Sequence, residues 1–179
     1  MEEKKVPANV MFRAAATNGG IIGVVSILFI VITYLTGDIY SGKSWLNWVS
    51  LAASVGLLVY FGLKYRQTAC EGYISYGDSF LFMWITYIFA GLVSLAFMVV
   101  LQTVIEPEFM DKALEAQRQI MIEKGMSDSQ VDAVLQAGAK FRTPLMIFVF
   151  GLVGNALIGL VISLITAIFV HKKRPVFEQ

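Results

Sequence analysis

The chain has 179 residues, of which 57% are hydrophobic and 15% charged, and its formal net charge is +1. A soluble domain is roughly 45–50% apolar even when glycine is counted, and it needs more polar surface to cover its core. The composition therefore argues against an ordinary soluble enzyme and against a disordered chain, and the charge gives no general attraction to nucleic acid. A single cysteine excludes an internal disulfide and a cysteine-rich metal site. The sequence predicts a small integral membrane protein.

Four apolar stretches cover about residues 14–36, 45–63, 80–105 and 144–170, and none of them contains Asp, Glu, Lys, Arg or His. At 1.5 Å per residue each is long enough to cross about 30 Å of hydrocarbon. Backbone polar groups in lipid must pair within their own segment, and this condition favours helices. We therefore predict an all-α fold, a four-helix transmembrane bundle that forms a single membrane domain over residues 1–179.

The polar segment 106–142, between the third and fourth stretches, is too long and too regular for a plain connector. Apolar residues recur at helical spacing from Phe109 to Met121, and Gly125 is expected to end that helix. Ser127 opens a second helix, because S-D-S-Q has the form of a capping box. We predict an amphipathic helical hairpin inserted between the third and fourth spans, packed on itself or on the bilayer surface. A first helix that continues the third span into water, and a hairpin that binds a partner, are the alternatives.

Small residues at four-residue spacing predict close contacts between the transmembrane helices, because they let two backbones approach. They occur in the first, second and fourth stretches. Packing within the chain is expected, and a homodimer through the fourth span is the alternative. The candidate packing residues are Gly19, Gly23, Ala52, Gly56, Gly151, Asn155, Gly159, Ser163 and Ala167.

Asn18 and Asn155 are the most polar residues inside the predicted spans. Such side chains hydrogen-bond between membrane helices, a contact worth about 0.6–2 kcal/mol, or they line a polar cavity. We expect the helix contact. The absence of an ionisable residue from all four stretches makes ion-coupled transport less favoured.

No motif assigns catalysis. The sequence contains no P-loop, GxGxxG, GxSxG or HExxH pattern. Cys70 has no histidine nearby in the sequence, and His171, the single histidine, begins a basic tail. We therefore assign no catalytic, cofactor-binding or metal-binding residue. Asp78 or Ser79 is expected to cap the third span.

The positions of Lys and Arg predict the orientation. Four spans place both termini on one side, which carries eight basic residues against six on the other. The H-K-K-R run at 171–174 adjoins the last span, and Lys64 and Arg66 adjoin the second, whereas Lys140 and Arg142 precede the fourth on the opposite side. Basic residues next to span ends mark the cytoplasmic face. We predict that both termini are cytoplasmic and that the hairpin lies outside.

The four spans, the stretch G-Y-I-S-Y-G-D-S-F before the third span, and E-P-E-F-M with E-K-G-M-S-D-S-Q-V after it together resemble the DUF4199 family. That family comprises bacterial membrane proteins, typical of Bacteroidetes, of uncharacterised function. The resemblance extends over about residues 14–170. It implies a location in the inner membrane of a Gram-negative cell and carries over no catalytic residue.

Three functions are compatible with these features. The favoured one is a non-enzymatic assembly or regulatory subunit of the inner membrane that acts through helix contacts, without a cofactor. Its partners would be the lipid bilayer and either a second copy or another membrane protein, not nucleic acid. The first alternative is a small transporter or channel subunit. The second is a membrane enzyme that acts on lipid through Cys70, Glu71 or Asp78.

Overall fold

A computed structural model of the chain describes residues 6–41, 45–141 and 143–173. Over these ranges the fold is all-α, and the single pairing of extended backbone is an isolated two-residue bridge. The described residues form α1 (Ala8–Leu35), α2 (Asp38–Ser41), α3 (Trp45–Ala69), α4 (Tyr76–Val100), α5 (Phe109–Glu123), α6 (Asp128–Gly138) and α7 (Pro144–Val170). α4 continues into a π-helical turn, Leu101–Ile105, and α6 into a 3₁₀ turn, Ala139–Phe141.

Four helices are long and apolar enough to cross a membrane: α1, α3, α4 with its π-helical turn, and α7. The prediction of an all-α chain with four transmembrane helices is therefore confirmed. α1 begins at Ala8 and α3 continues to Ala69, so both are longer than the predicted apolar stretches. The extension of α3 contains Lys64 and Arg66, whose long side chains can reach polar surroundings while the backbone stays helical. The limits of an apolar stretch indicate which residues lie in the hydrocarbon region, whereas the helix itself can extend beyond them.

Five of the basic residues used to predict orientation lie outside the described residues. Arg142, the last residue of the predicted hairpin, is one of them. The five are Lys4, Lys5, Lys43, Arg142 and Arg174.

α4 is the central helix of the bundle. It packs extensively against α1 on one side and α7 on the other, while α3 makes smaller contacts with α1, α7 and α4. Glycines permit the close approach of α1, because a Cβ at Gly19 would lie 2.5 Å from the carbonyl oxygen of Thr86. A real Cβ is not found so close to a backbone oxygen, so the two helices would have to separate.

The core is concentrated at the end of the bundle that carries the described termini. The rings of Tyr65 and Phe82 stack there with centroids 3.9 Å apart, and Leu58, Met83 and Val170 are buried around them. We call this region the closed half. It comprises residues 58–69 of α3, 159–170 of α7 and the parts of α1 and α4 that pack on them.

The opposite region has no such core. None of the residues from Trp45 to Leu57 of α3 is buried, and none from Pro144 to Ile158 of α7. We call these two segments, with the facing parts of α1 and α4, the open half. The four helices therefore pack closely at one end of the bundle and leave space between them toward the other.

Backbone hydrogen bonds hold the closed half together at its edge. Ile74 and Lys172 exchange two backbone hydrogen bonds of 3.0 Å, and Arg66 Nη1 donates to the carbonyl oxygen of Val170 at 2.8 Å. The latter bond satisfies an unpaired carbonyl at the negative end of α7. α4 begins one turn earlier than expected: its N-cap is Ser75, whose Oγ accepts from the backbone N–H of Asp78 at 3.1 Å.

The helices α5 and α6 lie at the open end. α5 ends at Glu123, and Gly125 adopts φ +86° in the turn that follows. The capping box predicted at Ser127 is present with Gln130. Arg118 of α5 pairs with carboxylates of α6, Asp128 at 3.4 Å among them. α5 and α6 are thus joined by a short turn and linked by the ion pairs of Arg118 with Asp128 and Asp132.

Candidate functional site

A crevice of about 480 Å³ lies between α1, α3, α4 and α7 in the open half. Its wall is mostly apolar, with several glycines, and each of the four helices contributes a neutral polar side chain. The volume falls within the roughly 300–1,000 Å³ typical of small-molecule sites. The polar residues of the wall are Ser26, Asn47, Ser50, Ser54, Ser94 and Asn155.

Several of these polar groups already have partners. Ser26 Oγ donates to the carbonyl oxygen of Ile22 at 3.0 Å, and the hydroxyls of Ser26 and Ser54 are 3.4 Å apart. Ser94 Oγ donates to the carbonyl oxygen of Ala90 at 3.0 Å. These bonds orient the hydroxyls in a region where water cannot replace a lost partner from the lipid side.

Asn155 connects the crevice to the α4–α7 interface. Its Nδ2 donates to the carbonyl oxygen of Tyr87 at 3.3 Å, and its amide lies directly against Gly91. Any side chain at Gly91 would occupy the position of that amide. Asn155 therefore hydrogen-bonds to the neighbouring helix and also lines the crevice.

Two glycines of the α7 ladder also face α4. A Cβ at Gly151 would lie 2.7 Å from Leu95, and one at Gly159 would lie 2.5 Å from the ring of Tyr87. Ser163 and Ala167, further along the ladder, are buried. In α1, Gly23 faces α4 as Gly19 does. α4 therefore covers these glycines of α1 and α7 from within the same chain.

Ala52 and Gly56 have a different environment. Both are exposed, and a Cβ at Gly56 would meet no atom within 4 Å. No described helix of this chain therefore covers them. Asn18 is half-buried and lies outside the crevice.

Sequence reasoning did not identify Gly91 or the serine pair. Ala90 and Gly91 are two adjacent small residues among mostly bulky ones, and this pattern indicates a place where another helix can approach closely. Ser26 and Ser54 stood out only as neutral polar residues inside their spans, and no sequence pattern pairs residues of two different helices.

A second cavity of about 500 Å³ lies at the edge of the closed half. It brings together Cys70, Glu71 and Asp78, the three residues of the lipid-enzyme alternative, with Tyr65 beside them. Burial raises the pKa of the Cys70 thiol, an effect opposed by its hydrogen bond with Tyr65 and reinforced by Asp78. A raised pKa keeps the sulfur protonated at neutral pH, whereas a nucleophile needs the thiolate. This cavity therefore lacks an activated cysteine.

Glu71 has a left-handed backbone, with φ +54°. It is followed by Gly72, whose N–H donates to the carbonyl oxygen of Arg66 at 2.9 Å. The strained conformation thus closes the end of α3. Among the described residues, no group of three or more His, Cys, Asp or Glu is arranged to hold a metal ion.

At the open end, a charged cluster attaches α5 to α1. Lys112 Nζ donates to Glu106 Oε1 at 3.1 Å, and the Tyr34 hydroxyl donates to Glu106 Oε2 at 2.9 Å. The bond from Lys112, and then that from Tyr34, lowers the pKa of Glu106. The same ion pair raises the pKa of Lys112. Tyr40 of α2 packs beside Phe109 with ring centroids 5.3 Å apart, so α5 is held by both polar and aromatic contacts.

Comparison with known proteins gives one match. Residues 17–172 match the family model described as protein of unknown function (DUF4199). The chain belongs to the DUF4199 family. No curated protein and no solved structure matches it. The description of the family assigns no activity.

Proposed function

We propose that this protein is a non-enzymatic assembly or regulatory subunit of the bacterial inner membrane, and that it acts through helix contacts. The observation that carries the proposal is the exposed face of α3 formed by Trp48, Ala52, Gly56 and Tyr60, which we call the α3 face. The other small-residue seams of the bundle are covered by α4, and this one is not.

The composition of the α3 face suits a partner helix. Its four residues follow at four-residue intervals, so they lie on one side of the helix. Two small residues in the middle allow close backbone approach. The aromatic residues at either end are of the types enriched at binding hot spots, and Trp48 is 75% exposed. The occupant that we propose is a transmembrane helix of another membrane protein.

The test is native mass spectrometry of the tagged full-length protein, gently extracted from its own membrane. Gly56→Leu fills the centre of the α3 face and should remove a polypeptide that accompanies the wild type. Gly20→Leu is the matched control, because a Cβ at Gly20 also meets no atom within 4 Å and the residue lies on α1. An accompanying polypeptide retained equally by both variants would contradict the proposal, and a dimer of the chain lost only in Gly56→Leu would replace the partner with a second copy.

A transporter or channel subunit is the second candidate, and the crevice supports it. The cavity reaches the middle of the bundle from the open half, while the stacked Tyr65 and Phe82 block the closed half. Transport would require the closed half to open. A covalent cross-link between cysteines at Gly62 and Val170, in a Cys70→Ala background, should therefore abolish uptake into proteoliposomes. The same cross-link should leave a contact subunit functional.

We further propose that both termini are cytoplasmic. Single cysteines in a Cys70→Ala background test this orientation, with Thr68→Cys at the closed end and Ser129→Cys on α6, since both positions are exposed. A membrane-impermeant maleimide should label Ser129→Cys in intact spheroplasts and should label Thr68→Cys only after permeabilisation. The reverse pattern would invert the orientation.

A further inference from the structure

The crevice carries an inference beyond the proposed function, because neutral polar groups from four helices line it. A serine hydroxyl has one proton and two acceptor lone pairs. Ser26 uses its proton on Ile22, and Ser94 uses its proton on Ala90. The hydroxyls of Ser26 and Ser54 are 3.4 Å apart, and either can donate to the other. The oxygens of all three hydroxyls keep acceptor capacity toward the crevice.

Asn155 offers a second amide proton as well as an acceptor. One of its Nδ2 protons is donated to Tyr87, and its Oδ1 is an acceptor with two lone pairs. Asn47 and Ser50 of α3 also line the cavity, so neutral polar groups of α1, α3, α4 and α7 offer both donors and acceptors to a wall that is otherwise mostly apolar. A hydroxyl group suits such a wall, because it can both donate and accept hydrogen bonds.

The crevice also selects against charge. None of the described residues that line it is ionisable apart from Tyr87, and none is acidic or basic. A charged ligand at this depth would find no counter-ion, and charge in the hydrocarbon region is strongly unfavourable. The wall instead matches an uncharged molecule with several groups that donate and accept hydrogen bonds.

We infer that the crevice binds an uncharged hydroxyl-rich group, which enters from the open half and donates hydrogen bonds to Ser26, Ser54, Ser94 and Asn155. Two sources supply this chemistry: the headgroup of an uncharged lipid, and a free polyol or sugar. The closed half stops the ligand at the middle of the bundle. The site does not depend on the α3 face, so it stands whether or not a partner helix binds there.

The experiment measures binding to the full-length protein in phosphatidylcholine nanodiscs. The probes are glucosyl dioctanoylglycerol, an uncharged lipid with a hydroxyl-rich headgroup, read by native mass spectrometry, and radiolabelled glucose, read by scintillation proximity. Dioctanoyl phosphatidic acid is the charged comparison. Gly154→Leu fills the crevice, and it should fold because a Cβ at Gly154 meets no atom within 4 Å. Gly20→Leu is its control, with the same substitution at an equally open glycine outside the crevice.

We expect saturable binding of at least one uncharged probe, weakened 10-fold or more by Gly154→Leu and unchanged by Gly20→Leu. Binding of glucosyl dioctanoylglycerol alone identifies a lipid source, and binding of glucose identifies a free solute. The inference is overturned if neither probe binds, if Gly154→Leu binds as the wild type does, or if phosphatidic acid binds equally well. Gly56→Leu should leave this binding unchanged, so failure here is distinguishable from failure of the proposed helix contact.

Discussion

The closed and open halves are built from the same four helices, yet only one of them has a core. In the closed half, α3 presents Leu58, Phe61 and Tyr65 to the other helices, and all three are buried. In the open half the same helix turns Ser50 and Ser54 toward a crevice, while Ala52 and Gly56 lie on its exposed side. The difference lies in where each half of α3 places its small and its bulky residues.

This difference shows what drives packing in a membrane. Lipid tails are as apolar as leucine, so no hydrophobic force closes a gap between helices. Close approach instead requires matching shapes or paired polar groups. α1 and α7 approach α4 because glycines face it, whereas α3 has no glycine toward the bundle in its first half.

Truncating a leucine of α3 should give the largest difference in stability between the closed half and the open half. Leu58 is fully buried in the closed half and Leu51 is 37% exposed in the open half, seven residues earlier on α3. Leu58→Ala should lower the free energy of unfolding by about 2–3 kcal/mol, the low end of the range for buried leucines, because in lipid mainly packing contacts are lost. Leu51→Ala should change it by no more than about 0.5 kcal/mol. Unfolding by dodecyl sulfate, followed by circular dichroism, measures both, and equal losses would abolish the distinction.

Adding a side chain at a glycine of α3 should also destabilise the closed half more than the open half, but by a smaller amount. A Cβ at Gly62 would lie 2.8 Å from Val170, whereas one at Gly56 meets nothing. Gly62→Leu should destabilise the bundle by about 0.5–2 kcal/mol, because overpacking exceeds the gain in helix propensity. Gly56→Leu should be neutral or slightly stabilising in the same assay. A destabilising Gly56→Leu would show that α3 packs more closely in the open half than the structure indicates.

The smallest effect concerns the attachment of α5 at the open end. The pKa of Glu106 lies below its usual value near 4.5, so its bonds with Lys112 and Tyr34 are complete at neutral pH. They are lost as the pH falls below 4.5 and through the lowered pKa, because protonation removes the anion. Amide hydrogen exchange in α5, corrected for the intrinsic rate, should therefore rise on acidification.

Two variants serve as controls for this pH dependence. Glu106→Gln should raise exchange in α5 already at neutral pH and should flatten the pH profile. Glu108→Gln should preserve the profile, because Glu108 lies 3.8 Å from Lys112 and its side chain is 76% exposed. A pH profile that survives Glu106→Gln would assign the titration to another group.

Local features were predictable where one segment decides them. The capping box at Ser127 and the helix stop at Gly125 depend on residues within one turn, and both are observed. The expected cap of α4 at Asp78 or Ser79 is wrong, and the N-cap is Ser75. Ser75 follows Ile74, whose backbone is held by hydrogen bonds to Lys172, a residue far away in the sequence. The π-helical turn before Glu106 was not predicted from the sequence.

The sequence by itself determined the all-α class and the four transmembrane helices, because length, missing charge and the backbone's need for internal hydrogen bonds act within each segment. The tertiary structure decided which small residues α4 covers and which remain exposed, and where the helices diverge. Those outcomes depend on the rotation of each helix about its axis and on contacts between residues such as Gly91 and Asn155, 64 positions apart in the chain. In a lipid environment that does not itself press helices together, such pairs of matching shape determine where the bundle is closed and where it is open.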